Sequence, residues 1–452
     1  MSSRGNFASK VGIVLATAGS SVGLGNIWRF PVETGQNGGA AFILIYLACV
    51  IFLGVPMMTA EFIIGRRTHT DIASAYDRLA PGEPWRFAGY AGMVCVTLIL
   101  SYYSVVAGWI LKYTVDALAG RMTAVADTSA YFSAFASSAW EPLIYAVLFL
   151  LITHLVIVRG VESGIERVSK VLMPVLAVLM LLLAVGSLTM PGAADGVAFL
   201  VKPDFSKITP RVVLSALGQA FFSLSIAIGC LATYASYFKG DVNLLKTSAN
   251  VVGIDTLVAI LSGFIIFPAV FSVSGVAPDA GPSLVFVTLP NIFSSLFGGA
   301  PILGYLFSLM FYLLLVLAAL TSSISMHEEV TAFFVDRHGA SRRRSAAIMT
   351  VVSIALAALC SLSFGPLSDF RPFFGRGFFE AFDDLTAMWI MPLSGIVLSV
   401  FVGWRLPRAE VIDELTNHHH LRFPRWLFAS FFFLIRWVAP IAIALIFINQ
   451  LR

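Results

Sequence analysis

Long apolar runs separated by short polar links fill this chain from end to end. Runs of about 18 or more apolar residues, the length that crosses a bilayer core, recur over roughly 11–37, 39–65, 87–120, 141–158, 166–190, 211–238, 247–274, 302–335, 345–363, 379–404 and 426–450. The pattern predicts an all-α integral membrane protein with about eleven transmembrane helices. Two runs are interrupted. "GSSVGLGN", Gly19 to Asn26, falls inside the first, and "GQAFFSLSIAIGC", Gly218 to Cys230, inside the sixth. Glycine in a helix interior costs about 1 kcal/mol relative to alanine, and backbone groups freed inside a bilayer must find partners there. Irregular backbone at that depth is tolerated where it lines a cavity, and interruptions at corresponding positions of two halves point to a transport site. Glycine-mediated contact between helices is the alternative reading.

Composition narrows the picture. Charged residues make up 12% of the chain, about half the ~25% of soluble domains, and mean hydropathy is +0.88. "MSSRGNFASK" lacks a following small-residue cleavage site and introduces a retained first span. Basic residues concentrate in alternate links, among them Arg66, Arg67, Arg78, Arg86 and Arg342 to Arg344. By the positive-inside rule this places the N-terminus in the cytoplasm, and an odd number of spans then places the C-terminus outside. The net charge of +4 reflects this bias, so no nucleic-acid partner is implied. Cys49, Cys95, Cys230 and Cys360 lie in apolar runs without metal-type spacing and read as buried free thiols. His418 to His420 could bind a metal but read more simply as a solvated loop. "GLGNIWR" begins like a dinucleotide fingerprint, yet the third glycine and the soluble strand–helix unit are missing. No Ser–His–Asp, Cys–His or metal-ligand set gathers around the interruptions, so the chain does not read as an enzyme.

Two polar groups inside apolar runs carry chemistry. Asp255, in "VGIDTLVAIL", is an intramembrane acid and hence a functional candidate, with a scaffold salt bridge as the alternative. "TSS", Thr321 to Ser323, offers hydroxyl ligands, or hydroxyls bonded back to their own helix. A dehydrated ion needs oxygens, which unwound backbone and Ser, Thr, Asn and Asp side chains supply.

"VGLGNIWRFP", "NGGAAFILIYL", "GVPMMTAEFIIGR", "LGQAFFSLSIAIG", "TYASYF", "GPSLVFVTLP" and "ALTSSISM" together resemble the neurotransmitter:sodium symporter family, in its bacterial amino-acid branch with the leucine-transporter fold. The likeness runs from Arg4 to about residue 405. It implies two inverted five-helix repeats, 1–190 and 191–405, with broken helices 1 and 6, followed by a cytoplasmic loop and last span over 406–452. It also implies two sodium sites. The first joins the Ser21 carbonyl to Asn26, Ser223 and Asp255. The second joins the carbonyls of Gly19, Val22 and Ala318 to the hydroxyls of Thr321 and Ser322. A substrate carboxylate would meet the amides near Leu24 and Gly25, because helix N-terminal ends attract anions, assisted by Tyr103. Its ammonium would meet the carbonyls around Ser20 and Phe222, with Ser225. Ile99, Tyr103, Phe222, Ile228, Ser322 and Met326 would surround the side chain.

The resemblance fixes further expectations. Aminergic relatives carry an aspartate where this chain has Gly23, so an intact amino acid is the expected substrate. Animal relatives have asparagine at Asp255 and bind chloride near positions matching Tyr46, Gln219 and Ser223; here the carboxylate replaces the anion, and chloride is not expected to be required. Arg29 and Asp383 match an extracellular gate, with Tyr103 and Phe222 as the lid beneath. Arg4 and Asp336 match a cytoplasmic gate, where Phe7 replaces the usual tryptophan. Gly164 and Pro174 match a hinge that unwinds, with a merely kinked helix as the alternative. The implied function is sodium-coupled import of a hydrophobic L-amino acid across a bacterial plasma membrane by alternating access. A carrier of another solute on the same fold, or a receptor that does not transport, is the alternative, and the oligomeric state is not legible.

Overall fold

The computed structural model describes residues 5–122, 125, 127–273, 284–296 and 301–450. The polypeptide is helical, and among the described residues the only β-type pairing is an isolated bridge between Phe373 and Arg376. The helices that cross the molecule are α1 (Lys10–Ser21) and α2 (Gly25–Gln36), α3 (Ala40–Thr68), α4 (Arg86–Leu118), α5 (Glu141–Ile157), α6 (Val161–Leu188), α7 (Pro210–Ser223) and α8 (Cys230–Ala235), α9 (Leu244–Val270), α10 (Pro301–His338), α11 (Arg342–Leu362), α12 (Phe378–Arg405) and α13 (Arg425–Gln450). Among the described residues, eight helices are long and apolar enough to cross a membrane, or up to ten if each bent pair is one span. The bent pairs are α1 with α2, at 55°, and Thr128–Ala136 with α5, at 75°. The split segment α7–α8 makes the count compatible with the eleven spans expected.

Local chemistry sets several boundaries. Ser9 caps α1 by accepting from the Gly12 amide at 3.0 Å. Thr209 caps α7, whose first residue is Pro210, and Asn243 and Ser341 cap α9 and α11. Outward positions are apolar at helical spacing: Val171, Val175, Val178, Leu182 and Val185 of α6 are all exposed. In water such a stripe would be unstable; against lipid it is the expected face. Inside, α10 packs on α4 and α1, and α8 packs on α3. The last contact is so close that a Cβ on Gly65 would sit 1.9 Å from the Ala232 carbonyl oxygen.

α6 is continuous across Gly164 and Pro174, with a π turn over Val161–Glu166. Gly164 serves close approach, since a Cβ there would meet the Val156 carbonyl oxygen at 2.3 Å. Proline removes one helical hydrogen bond, but neighbouring turns hold the helix. The adjoining Glu166 accepts from the Ala8 amide at 2.6 Å and the Ser9 hydroxyl at 2.8 Å, tying the start of the chain to α6.

Candidate functional site

Both interruptions are present and shorter than the sequence suggests. α1 stays helical through Ser21 and α2 begins at Gly25, so only Val22 to Leu24 separate them. α7 stays helical through Ser223, and 224–229 separate it from α8. Small residues permit an interruption without forcing one wherever the i→i−4 ladder can still close. Within the second break Ser225, Ala227 and Gly229 have φ of 51°, 69° and 96°. Two of the three are not glycine, a conformation of order 1–3 kcal/mol above the usual one that surrounding contacts must hold. Glu61 of α3 supplies such contacts. It is buried, and its carboxylate accepts from the Ala227 amide and, at 3.2 Å, from the Ala232 amide.

The two breaks face each other and α9 closes one side. The Asn26 amide group donates to the Ser223 hydroxyl at 2.9 Å and to an Asp255 carboxylate oxygen at 2.8 Å. The Ser223 hydroxyl donates to the other Asp255 oxygen at 2.8 Å, and the Asn26 side-chain oxygen accepts from the Gly23 amide at 3.0 Å. Asn26, Ser223 and Asp255 are buried. Ser21 reaches across to the Leu224 carbonyl at 3.3 Å, and Ser225 reaches back to the Ser20 carbonyl at 3.3 Å. On the far side of α1, the hydroxyls of Thr321 and Ser322 lie 3.3 and 3.1 Å from the Val22 carbonyl oxygen, and Thr321 lies 3.0 Å from that of Ala318. Gly19 faces the same place: a Cβ there would meet Thr321 at 3.2 Å. Asn26, Ser223 and Asp255 thus meet on one side of the first break, and Val22, Ala318, Thr321 and Ser322 on the other, from distant parts of the chain.

Between them lies a cavity. Ser20, Ser21, Leu24, Gly25, Ile99, Tyr103, Phe222, Ser223, Ser225, Ile228, Ser322 and Met326 all line it, with Gly23, Tyr102 and Met391 in addition. The buried Tyr103 hydroxyl faces the Ser322 hydroxyl and the Leu24 backbone at the cavity wall. A Cβ on Gly23 would sit 2.5 Å from the Ser322 hydroxyl and 3.3 Å from that of Tyr103, so a side chain there would displace the Ser322 hydroxyl and crowd Tyr103. Tyr102 and Met391 escaped sequence reasoning: nothing in an apolar run marks which face meets a cavity. Glu61 could have been found, because the intramembrane-acid signal that singled out Asp255 applies to it equally.

The residues expected to form gates are brought together only in part. Arg29 lies over the Phe222 ring, 4.2 Å from its centroid, and its ion pair is with Glu33 at 3.6 Å. No ion pair within 4.0 Å joins Arg29 to Asp383, so the expected extracellular pair is not made in this conformation; Arg29 reaches the nearer acid, one turn along its own helix. At the other end Phe7 is buried against the rings of Tyr234, Tyr237 and Phe238 at 5.9, 6.2 and 6.2 Å. Asp336 accepts from the Asp71 amide at 3.0 Å, and Arg4 lies outside the described residues. The four cysteines are free and buried. His418 bonds Asp413 at 2.9 Å, beside Glu414, whose carboxylate already pairs with Arg66 at 2.7 Å.

Comparison with known proteins places this architecture. The family model described as "Sodium:neurotransmitter symporter family" matches residues 4–133 and 133–452. The chain is 38% identical over 446 residues to the "Uncharacterized sodium-dependent transporter YhdH" of Bacillus subtilis, covering 98% of this chain and 97% of that one. It is 33% identical over 461 residues to an "Uncharacterized sodium-dependent transporter" of Haemophilus influenzae, covering 99% and 98%. Among solved structures, that of MhsT in complex with L-phenylalanine superposes with a TM-score of 0.89 at 40% identity, over 99% of this chain and 100% of that one. The chain belongs to the sodium:neurotransmitter symporter family, as a multi-pass, sodium-dependent membrane symporter.

Proposed function

We propose that this symporter imports a hydrophobic L-amino acid across a bacterial plasma membrane, drawn by two sodium ions bound on either side of the first break. The observation that carries the reading is the convergence of Asn26, Ser223 and Asp255 on one flank of the cavity and of Val22, Thr321 and Ser322 on the other. Each set offers a cation oxygens that are already gathered, so little reorganisation opposes binding. The first ion would take Ser21, Asn26, Ser223 and Asp255, and also the substrate carboxylate. The second would take Gly19, Val22, Ala318, Thr321 and Ser322.

The cavity favours an intact amino acid. Its polar groups are backbone and hydroxyl, and the Tyr103 hydroxyl, beside the Leu24 backbone, is available to a carboxylate. The rest of its wall is Ile99, Phe222, Ile228, Met326 and Met391, without a charged side chain. Two flexible methionines permit more than one side-chain shape, and the relative MhsT was crystallised with L-phenylalanine. Gly23 offers no carboxylate of the kind that an amine without its own carboxylate would need, and a side chain there would crowd Ser322 and Tyr103. Because Asp255 brings a fixed carboxylate to the first ion, chloride is not required. The N-terminus is cytoplasmic and the C-terminus outside. The halves 1–190 and 191–405 act as the two repeats that rock about the site. Arg29 with Asp383, and Arg4 with Asp336, close the two faces, and α6 loosens at Gly164 and Pro174 to admit water.

A sodium-dependent binding panel of the twenty amino acids on purified protein tests this reading. The account expects hydrophobic amino acids to bind in sodium and not in potassium, with no change when chloride is replaced by gluconate. Selective binding of an amine or a charged solute would overturn it.

A further inference from the structure

Three acids are buried around the second break, and two are satisfied. Glu61 accepts the two amides already described. Glu328 of α10 accepts from the Tyr237 hydroxyl at 2.7 Å and from the Arg342 guanidinium at 3.0 and 2.5 Å. Glu329, the next residue, is 0% exposed, and among the described residues its carboxylate meets no N–H group or hydroxyl, only the weakly donating Cys230 thiol. The titratable groups that face it are Cys230 of α8, Glu61 of α3 and Asp71 after α3, together with Cys95 of α4. They are two acids and two thiols, and none is basic. Glu329 also lies directly against the end of the break. A Cβ on Gly229 would sit 2.6 Å from its Oε1, and one on Gly92 3.9 Å. One helical turn earlier on α10 is Met326, a wall of the substrate cavity.

A negative charge here would have nothing to compensate it, the costliest arrangement for a buried carboxylate. A sodium ion would need several converging oxygens, and those of Glu61 already hold backbone amides. We propose that Glu329 is a proton-binding site of the transport cycle, occupied while the second break packs against it and vacated when this side of the break opens to cytoplasmic water. On opening, the carboxyl O–H bond breaks, its electron pair stays on the carboxylate and the proton passes to water. On closing, the proton returns and the neutral group is buried again. Asp255 is a separate acid, with both its oxygens held by Asn26 and Ser223. The inference rests on the transport reading above: opening toward the cytoplasm is favoured when Glu329 can ionise.

The test uses full-length protein in proteoliposomes under a fixed inward sodium gradient. The outside pH is held constant while lumenal pH is varied from about 5.5 to about 8.5. Initial uptake of labelled L-phenylalanine by the wild type should rise severalfold as the lumen becomes more alkaline. Glu329→Gln should bind the amino acid in sodium as the wild type does, yet show a flat lumenal pH profile near the slow acidic limit. Glu329→Leu is a second neutral variant for the case in which the first fails to fold, and Glu329→Asp, which keeps a carboxyl, should retain the pH dependence. A flat wild-type profile, or an unaltered profile in a folded neutral variant, would overturn the proposal. Absence of any sodium-driven uptake by the wild type would instead defeat the transport reading beneath it.

Discussion

Gly25→Ala adds one methyl group at the point where the first break meets the cavity. Its Cβ would lie 3.2 and 3.3 Å from two carbons of the Phe222 ring and 3.6 Å from the Ser223 Cα. The ring must therefore move by a few tenths of an ångström. It lines the cavity and is covered by Arg29, so its free direction is into the space a substrate would fill. With the cavity empty that movement is cheap; with substrate bound the methyl, the ring and the ligand compete for the same volume. Overpacking a close-packed site costs about 1–3 kcal/mol, which is roughly ten- to a hundredfold in affinity. The variant should thus express and melt like the wild type while its sodium-dependent substrate affinity falls by that factor. Binding isotherms and thermal unfolding on the same purified sample decide the matter. Wild-type affinity in a destabilised protein would refute the reasoning, because it would make Gly25 a packing glycine rather than part of the binding wall.

Three other outcomes follow from the same geometry. Thr321→Ala combined with Ser322→Ala removes both hydroxyls beside the Val22 carbonyl; at about 1.5–3 kcal/mol per contact to a charge, the sodium concentration needed for half-maximal substrate binding should rise at least about tenfold. Asp255→Asn removes the fixed charge from the proposed first ion site, so transport should become chloride-dependent or stop, and full-rate uptake in gluconate would contradict this. Gly65→Ala drives a methyl into the Ala232 carbonyl at 1.9 Å and should lower stability by about 1–3 kcal/mol, read as a lower unfolding midpoint.

Periodicity and hydropathy carried the membrane helices, because a bilayer imposes one length and one kind of outward surface on every span. The breaks at 22–24 and 224–229 were visible as small polar residues in apolar runs, but their edges were not. Whether Ser21 or Ser223 keeps its helical bond depends on partners such as Leu224 and Asp255, more than two hundred and about thirty residues away respectively. Asn26, Ser223, Asp255, Thr321 and Ser322 were legible as oxygen donors with no apolar role. Tyr102 and Met391 were not, since facing a cavity leaves no mark on an aromatic or aliphatic residue. The pairing of Arg29 was also beyond reach: charge sign permits Glu33 and Asp383 equally, and only the conformation chooses. Glu61 and Glu329 were legible in principle as acids inside apolar runs, but their opposite fates, one held by two amides and one meeting only a thiol, are decided by the fold of the second break.

The central claim is that the oxygens gathered around the first break couple sodium to amino-acid movement. Uptake of labelled L-phenylalanine into proteoliposomes, with and without an inward sodium gradient and with potassium as the control, tests it most directly. The account predicts concentrative uptake that requires sodium and collapses when the gradient is dissipated. Equal uptake in sodium and potassium, or sodium-dependent binding by a protein that never moves the amino acid across the membrane, would contradict it.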